Sequence, residues 1–222
     1  MFLIEDDDRI GILRTLAVLG AAALVAALGV WFLDYPLFAL LRHADGWFWR
    51  IFAMFGAPKF ILLASFLIFM FKLWSTGIWG ARPREMTRFI MSGRSELLTA
   101  GAGVFAAVFA AVLAANLAAF AVGRLRPVFF ESMNSAGFYP FSFGDQFNSM
   151  PSGYAAASFA ALVLLGLFYP GMKRYYWAAA ALFGFAGVVT GANFPSDILA
   201  GAFVGAFSAE VVYLTFKRSS ES

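Results

Sequence analysis

The sequence predicts an all-α polytopic membrane protein, a bundle of six transmembrane helices with interfacial helices between the first two spans. Three observations predict it. The chain of 222 residues is 62% hydrophobic and 13% charged, whereas a soluble domain has about a quarter charged and just under half apolar residues. Long apolar runs recur along the whole length, and a helix needs about 20 such residues to cross the hydrocarbon core. Lysine and arginine are distributed unequally between alternate connecting segments, as topology requires of a membrane protein. One membrane domain covering 1–222 is expected.

The first span is read at roughly 11–33. Asp6, Asp7 and Asp8 precede the positive charges, and the apolar run is too long for the core of a signal peptide, so it is expected to remain as a helix. The next connection mixes aromatic residues with Arg42, His43, Asp45 and Arg50. That pattern suits helices lying in the interface, with Trp47 and Trp49 at headgroup level. The second span is roughly 58–75, followed by a basic loop or interfacial helix over 76–94. The third span is roughly 96–122. The stretch 123–150 is the longest polar connection, and its Gly, Pro and Asn content predicts an irregular loop. The remaining spans are roughly 152–169, 175–192 and 196–216. Ala and Gly enrich the third to fifth spans, Gly101 and Gly103 included, which allows close helix packing.

With the N-terminus inside, 11 Lys and Arg fall on the inner side and 5 on the outer. The excess predicts cytoplasmic termini and motif loops on the outer, periplasmic face of a bacterial inner membrane. The net charge of +3 therefore speaks of topology, and no nucleic-acid partner is expected. The absence of cysteine excludes disulfides and thiolate chemistry, and a single histidine, His43, gives no ground for a metal site. No cofactor is expected.

Three motifs fall at one predicted membrane depth. Arg124 and Arg126 in GRLRP follow the third span. Arginine is a natural phosphate ligand because its planar fork donates two charge-assisted hydrogen bonds, although interfacial anchoring of a helix end is the plainer role. Pro151, Ser152 and Gly153 open the fourth span, where free N–H groups make an anion site, or simply an ordinary capped start. NFPSD opens the sixth span and carries Asp197, whose plainer role is to cap the helix or pair with an arginine.

In this order and spacing the motifs resemble those of the type-2 phosphatidic acid phosphatases, or lipid phosphate phosphatases, over a family-like core of about 96–216. The loop phrase FYPFSFGDQFNSMPSG and the ending SDILAG share the likeness. The resemblance implies a lipid phosphate site in which one histidine attacks phosphorus and a second protonates the leaving group. Arg126, Pro127, Pro151, Ser152, Gly153 and Asp197 match the family pattern. The lysine position is Ala119, the two histidine positions are Tyr154 and Asn193, and the serine and arginine of the third motif are Ala186 and Gly187. Amide resonance leaves Asn193 without a basic lone pair, and a tyrosine pKa of about 10 is a poor match for acid catalysis at neutrality.

The expected function is accordingly a degenerate family member with phosphate ligands Arg124, Arg126, Ser152 and Gly153. It would bind an anionic lipid phosphate among its membrane lipids, or serve as a structural partner of a membrane protein or of itself. The alternative is a phosphatase or phosphotransferase with a rearranged site that uses His43, Asp145 or Glu131. A transport role would need polar groups along a path through the bilayer, and the spans offer few, Asn116 and Glu210 among them.

Overall fold

The computed structural model describes residues 28–30, 32–44, 46–77, 96–129 and 137–221, with a few isolated positions elsewhere before residue 91. Among the described residues the helices are, in order, α1 (Asp34–Leu41), α2 (Trp47–Gly56), α3 (Pro58–Ser75), α4 (Glu96–Val122), α5 (Gly153–Phe168), α6 (Lys173–Val189) and α7 (Pro195–Glu221). Short 3-10 turns at Arg42–Ala44, Pro127–Phe129, Asp145–Phe147 and Pro170–Met172 link them. The described residues form no strand, only an isolated bridge between Arg124 and Phe138.

The protein is an integral membrane protein. Pro58–Ser75, Thr99–Val122 and Pro195–Arg218 are long and apolar enough to cross a bilayer. Their exposed faces are apolar stripes at helical spacing: Leu63, Leu67, Phe71 and Trp74 on α3, and Phe109, Leu113, Leu117 and Phe120 on α4. Spacings of four, four and three keep each set on one face, so these stripes face lipid. α5 and α6 have 16 and 17 residues, about 25 Å of helix, against a hydrocarbon core of about 30 Å. Most of the expected first span and of the 76–94 segment lies outside the described residues. The expected interfacial helices between the first two spans correspond to α1, the 42–44 turn and α2.

α5 is the centre of the bundle. Ala155, Ala156, Ala157, Ala160 and Leu164 are fully buried, and α4, α6 and α7 pack around them. The tightest crossing is with α7. A Cβ on Gly201 would lie 2.3 Å from the Ser152 carbonyl oxygen, and one on Gly205 would lie 2.4 Å from that of Ala156. Glycines four apart thus let two backbones touch, the means by which membrane helices pack without large side chains.

Helix ends are set by local chemistry. Ser152 Oγ accepts from the Ala155 N–H and caps α5. α4 stops at Gly123, whose φ of +63° suits glycine, and a Cβ there would lie 1.7 Å from the Tyr139 carbonyl oxygen. α6 ends at Val189, before Asn193, because the turn that follows needs Gly191 at φ +71°.

Candidate functional site

The three motif segments meet at one end of the bundle and build two layers, a buried ionic layer and an open cavity. In the buried layer, Arg124 Nη1 donates to Asp197 Oδ1 at 2.6 Å and to Ser196 Oγ at 2.7 Å, and its Nη2 donates to Asp34 Oδ2 at 2.7 Å. Asp34 also accepts from the Ser196 N–H and hydroxyl. Asp197 Oδ2 accepts from Ser149 Oγ and from the Phe194 N–H. The guanidinium lies 4.3 Å from the Phe194 ring centroid. All three charged side chains are at most 3% exposed.

This layer changes the part expected of Arg124. Its Nη atoms are committed to two carboxylates, and it does not line the cavity. The residue ties α1 and α7 to the loop after α4. Asp197 caps α7 and pairs with an arginine at once, which occupies both carboxylate oxygens. Asn193 is buried as well. Its Nδ2 donates to the Ser149 carbonyl at 2.7 Å, and its Oδ1 accepts from Ser152 Oγ at 3.0 Å. Ser152 therefore spends its hydroxyl on the cap and on Asn193, away from the cavity.

The cavity lies above this layer and has a volume of about 620 Å³. Pro58, Lys59 and Leu62 of α3 form one wall, and Val112, Ala115 and Asn116 of α4 another. Arg126, Asp145, Asn148, Gly153, Tyr154 and the 190–192 turn complete it. Arg126 Nε donates to the Asp145 carbonyl at 2.7 Å, which leaves the outer nitrogens toward the cavity apart from a long 3.5 Å contact with the Ala192 carbonyl. Among the described residues neither Lys59 nor Arg126 is ion-paired with a carboxylate. Gly153 and Tyr154 bring the first turn of α5, with its free N–H groups, to the same space.

Three of the positions where the motifs depart from the family pattern, Tyr154, Gly187 and Asn193, lie together. A Cβ on Gly187 would lie 3.5 Å from Asn193 Oδ1 and 3.8 Å from Tyr154 Cβ. Tyr154 lines the cavity, while Gly187, Asn193 and Ala119 are buried and do not line it. His43 is exposed in the turn after α1 and does not line the cavity. Asp145 does line it. Glu131 lies outside the described residues. Asn116 bonds its own helix at Val112 and accepts from Asn148 Nδ2 at 3.1 Å. No group of metal-binding side chains occurs among the described residues.

Sequence reasoning missed Asp34 and passed over Lys59 as a topology charge. A signal existed for each. Asp34 is an acid between apolar runs, and such a residue needs a partner. Lys59 stands in the first turn of a helix, where the helix dipole disfavours a cation.

The PAP2 superfamily model matches residues 100–221 of the chain. The chain belongs to the PAP2 superfamily. This is the phosphatidic acid phosphatase group that the three motifs resemble. The chain is also 30% identical over 169 residues to a lipid A 1-phosphatase of Rhizobium johnstonii, covering 74% of this chain and 65% of that protein. It is 31% identical over 160 residues to a lipid A 1-phosphatase of Rhizobium etli, covering 69% and 64%. The chain thus spans slightly less than two thirds of the length of these relatives. No solved structure matches.

Proposed function

We propose that this PAP2 protein holds the phosphate headgroup of an anionic membrane lipid in the cavity at the motif end of the bundle, without hydrolysing it by a histidine route. Arg126 and Lys59 supply the positive charge, and the start of α5 at Gly153 supplies backbone donors. The observation that carries the reading is the content of the converging positions. Tyr154, Gly187 and Asn193 stand where the resemblance calls for two histidines and an arginine, and the one histidine of the chain is outside the cavity. Loss of a general acid alone costs about 10²- to 10⁴-fold in rate, and Asn193 offers no nucleophile in its place. The lysine and arginine split supports a cavity on the outer, periplasmic face of one membrane domain.

A second reading is favoured by the names of the relatives, both lipid A 1-phosphatases. In it the chain is a phosphatase with a rearranged site, and Asp145 is the carboxylate at hand in the cavity. The test is to incubate the purified protein in detergent with a panel of lipid phosphates, lipid A included, and to measure both released phosphate and lipid binding, with Arg126→Ala beside it. Saturable binding without release, lost in the variant, supports the first reading. Release above background that vanishes in the variant establishes the second. Indifference to Arg126 together with a co-purifying protein points instead to a structural role.

A further inference from the structure

The loop that carries Asp145 and Asn148 to the cavity contains an uncharged stretch, 137–144, with Phe138, Tyr139, Phe141 and Phe143. All four aromatics are exposed, Phe143 at 86% and Phe141 at 67%. Exposed aromatic surface of this kind on a loop marks a contact with something apolar. Its position indicates what. The Phe141 N–H donates to the Phe120 carbonyl at 2.8 Å, and the Phe141 and Phe143 rings meet the Phe120 ring edge-on and tilted, with centroids 5.7 and 4.9 Å apart. Phe120 is the last member of the lipid-facing stripe Phe109, Leu113, Leu117, Phe120 on α4. Phe141 and Phe143 therefore continue that stripe at the end of the helix, while Phe138 lies against Arg124 and Tyr139 against Phe147.

The backbone shows that this placement is imposed. Phe141 has φ of +60°, a region that bulky residues rarely enter and that is kept when the surroundings fix it. The hydrogen bond to Phe120 and the pairing of the Tyr139 N–H with the Gly123 carbonyl at 2.7 Å fix it here.

We infer that Phe141 and Phe143 form an aromatic wedge that inserts into the leaflet at the motif end of the bundle, with the bilayer lipid itself as the partner. Phenylalanine on an exposed apolar face buries at the boundary between headgroups and acyl chains. The wedge seats one wall of the cavity against the membrane, because the Asp145 carbonyl that orients Arg126 follows it by two residues. The inference does not depend on what the cavity binds or whether it turns over.

The chain has no cysteine, so Phe143→Cys carries a nitroxide label at a single site. Leu117→Cys on the stripe and Asp145→Cys beyond the wedge are the references. Each labelled protein is reconstituted in phosphatidylcholine–phosphatidylglycerol vesicles, and its collisions with oxygen and with a water-soluble nickel chelate are measured. The expected result is a label at 143 that is oxygen-accessible and nickel-shielded like the one at 117, with the opposite pattern at 145. A label at 143 open to nickel overturns the inference. So does one shielded from both reagents, which would mean that protein, a second copy or a partner, covers the wedge. Phe143→Trp keeps a ring at the site should the cysteine variant fold poorly. Its emission in excess of wild type is expected to be quenched by lipids brominated on the acyl chain, and lack of quenching counts against the wedge.

Discussion

Two arginines separated by one residue are expected to fail in opposite ways. Arg124→Ala leaves Asp34 and Asp197 buried without their common cation, and both carboxylates are at most 3% exposed. Removing one partner of a buried ion pair costs about 3–5 kcal/mol, a large part of a typical stability of about 5–15 kcal/mol. At about 2–4 °C per kcal/mol for a chain of this size, the melting temperature in detergent falls by roughly 6–20 °C. Arg126→Ala removes a half-buried side chain whose one short bond goes to a loop carbonyl, and its melting temperature stays near wild type. Its effect is on the ligand. A hydrogen bond to a charged group contributes about 1.5–3 kcal/mol, so affinity for a lipid phosphate falls by about 10- to 150-fold. Thermal unfolding and a lipid-binding titration on both variants check this. An Arg124→Ala protein that melts like wild type but loses binding would refute the assignment of the two layers. Combining Arg124→Met with Asp34→Asn and Asp197→Asn is expected to regain part of the lost stability, because the stranded charges leave with their partner.

Restoring histidines with Tyr154→His and Asn193→His is expected to leave phosphate release at background, since both oxygens of Asp197 are already engaged by Arg124, Ser149 and Phe194; measurable turnover in the double variant would show that Asp197 is free to orient a base. Gly205→Leu should destabilise the bundle by more than the ~1–3 kcal/mol of ordinary overpacking, because its Cβ would meet backbone 2.4 Å away, and a lowered melting temperature in detergent is the readout. Asn193→Ala should cost about 1–3 kcal/mol by stranding the Ser149 carbonyl in the core, with lipid affinity little changed in the same titration. Lys59→Ala should weaken lipid-phosphate binding less than Arg126→Ala and make the remainder less sensitive to salt, since an exposed cation acts through a screened field.

The helices were legible because apolar run length and Ala/Gly content are local properties. The third span was read at 96–122 and α4 is Glu96–Val122. The fifth was read too far, to 192, because composition does not register that Gly191 turns the backbone. The motifs were equally legible, but the division of labour among their residues was not. Arg124 and Arg126 look alike in sequence, and the difference between them is made by Asp34, 90 residues from Arg124. The resemblance covered 96–216, so it gave no reason to look at Asp34. Lys59 lies outside that core as well.

The Gly201 and Gly205 seam has a mechanical consequence. Backbone contact without intervening side chains leaves no rotamers to rearrange, so α5 and α7 move as one body. That body carries Ser152, Asn193 on its approach turn, and Asp197, and the ionic layer fastens α1 to it. On the opposite side of the cavity, Asn116 and Asn148 meet through a single amide hydrogen bond of 3.1 Å, and α3 presents Lys59 at its exposed first turn. Compliance is thus unequally divided around the opening. Any widening of the opening falls to the first turn of α3 and to the loop, while the start of α5 stays still as its fixed jaw.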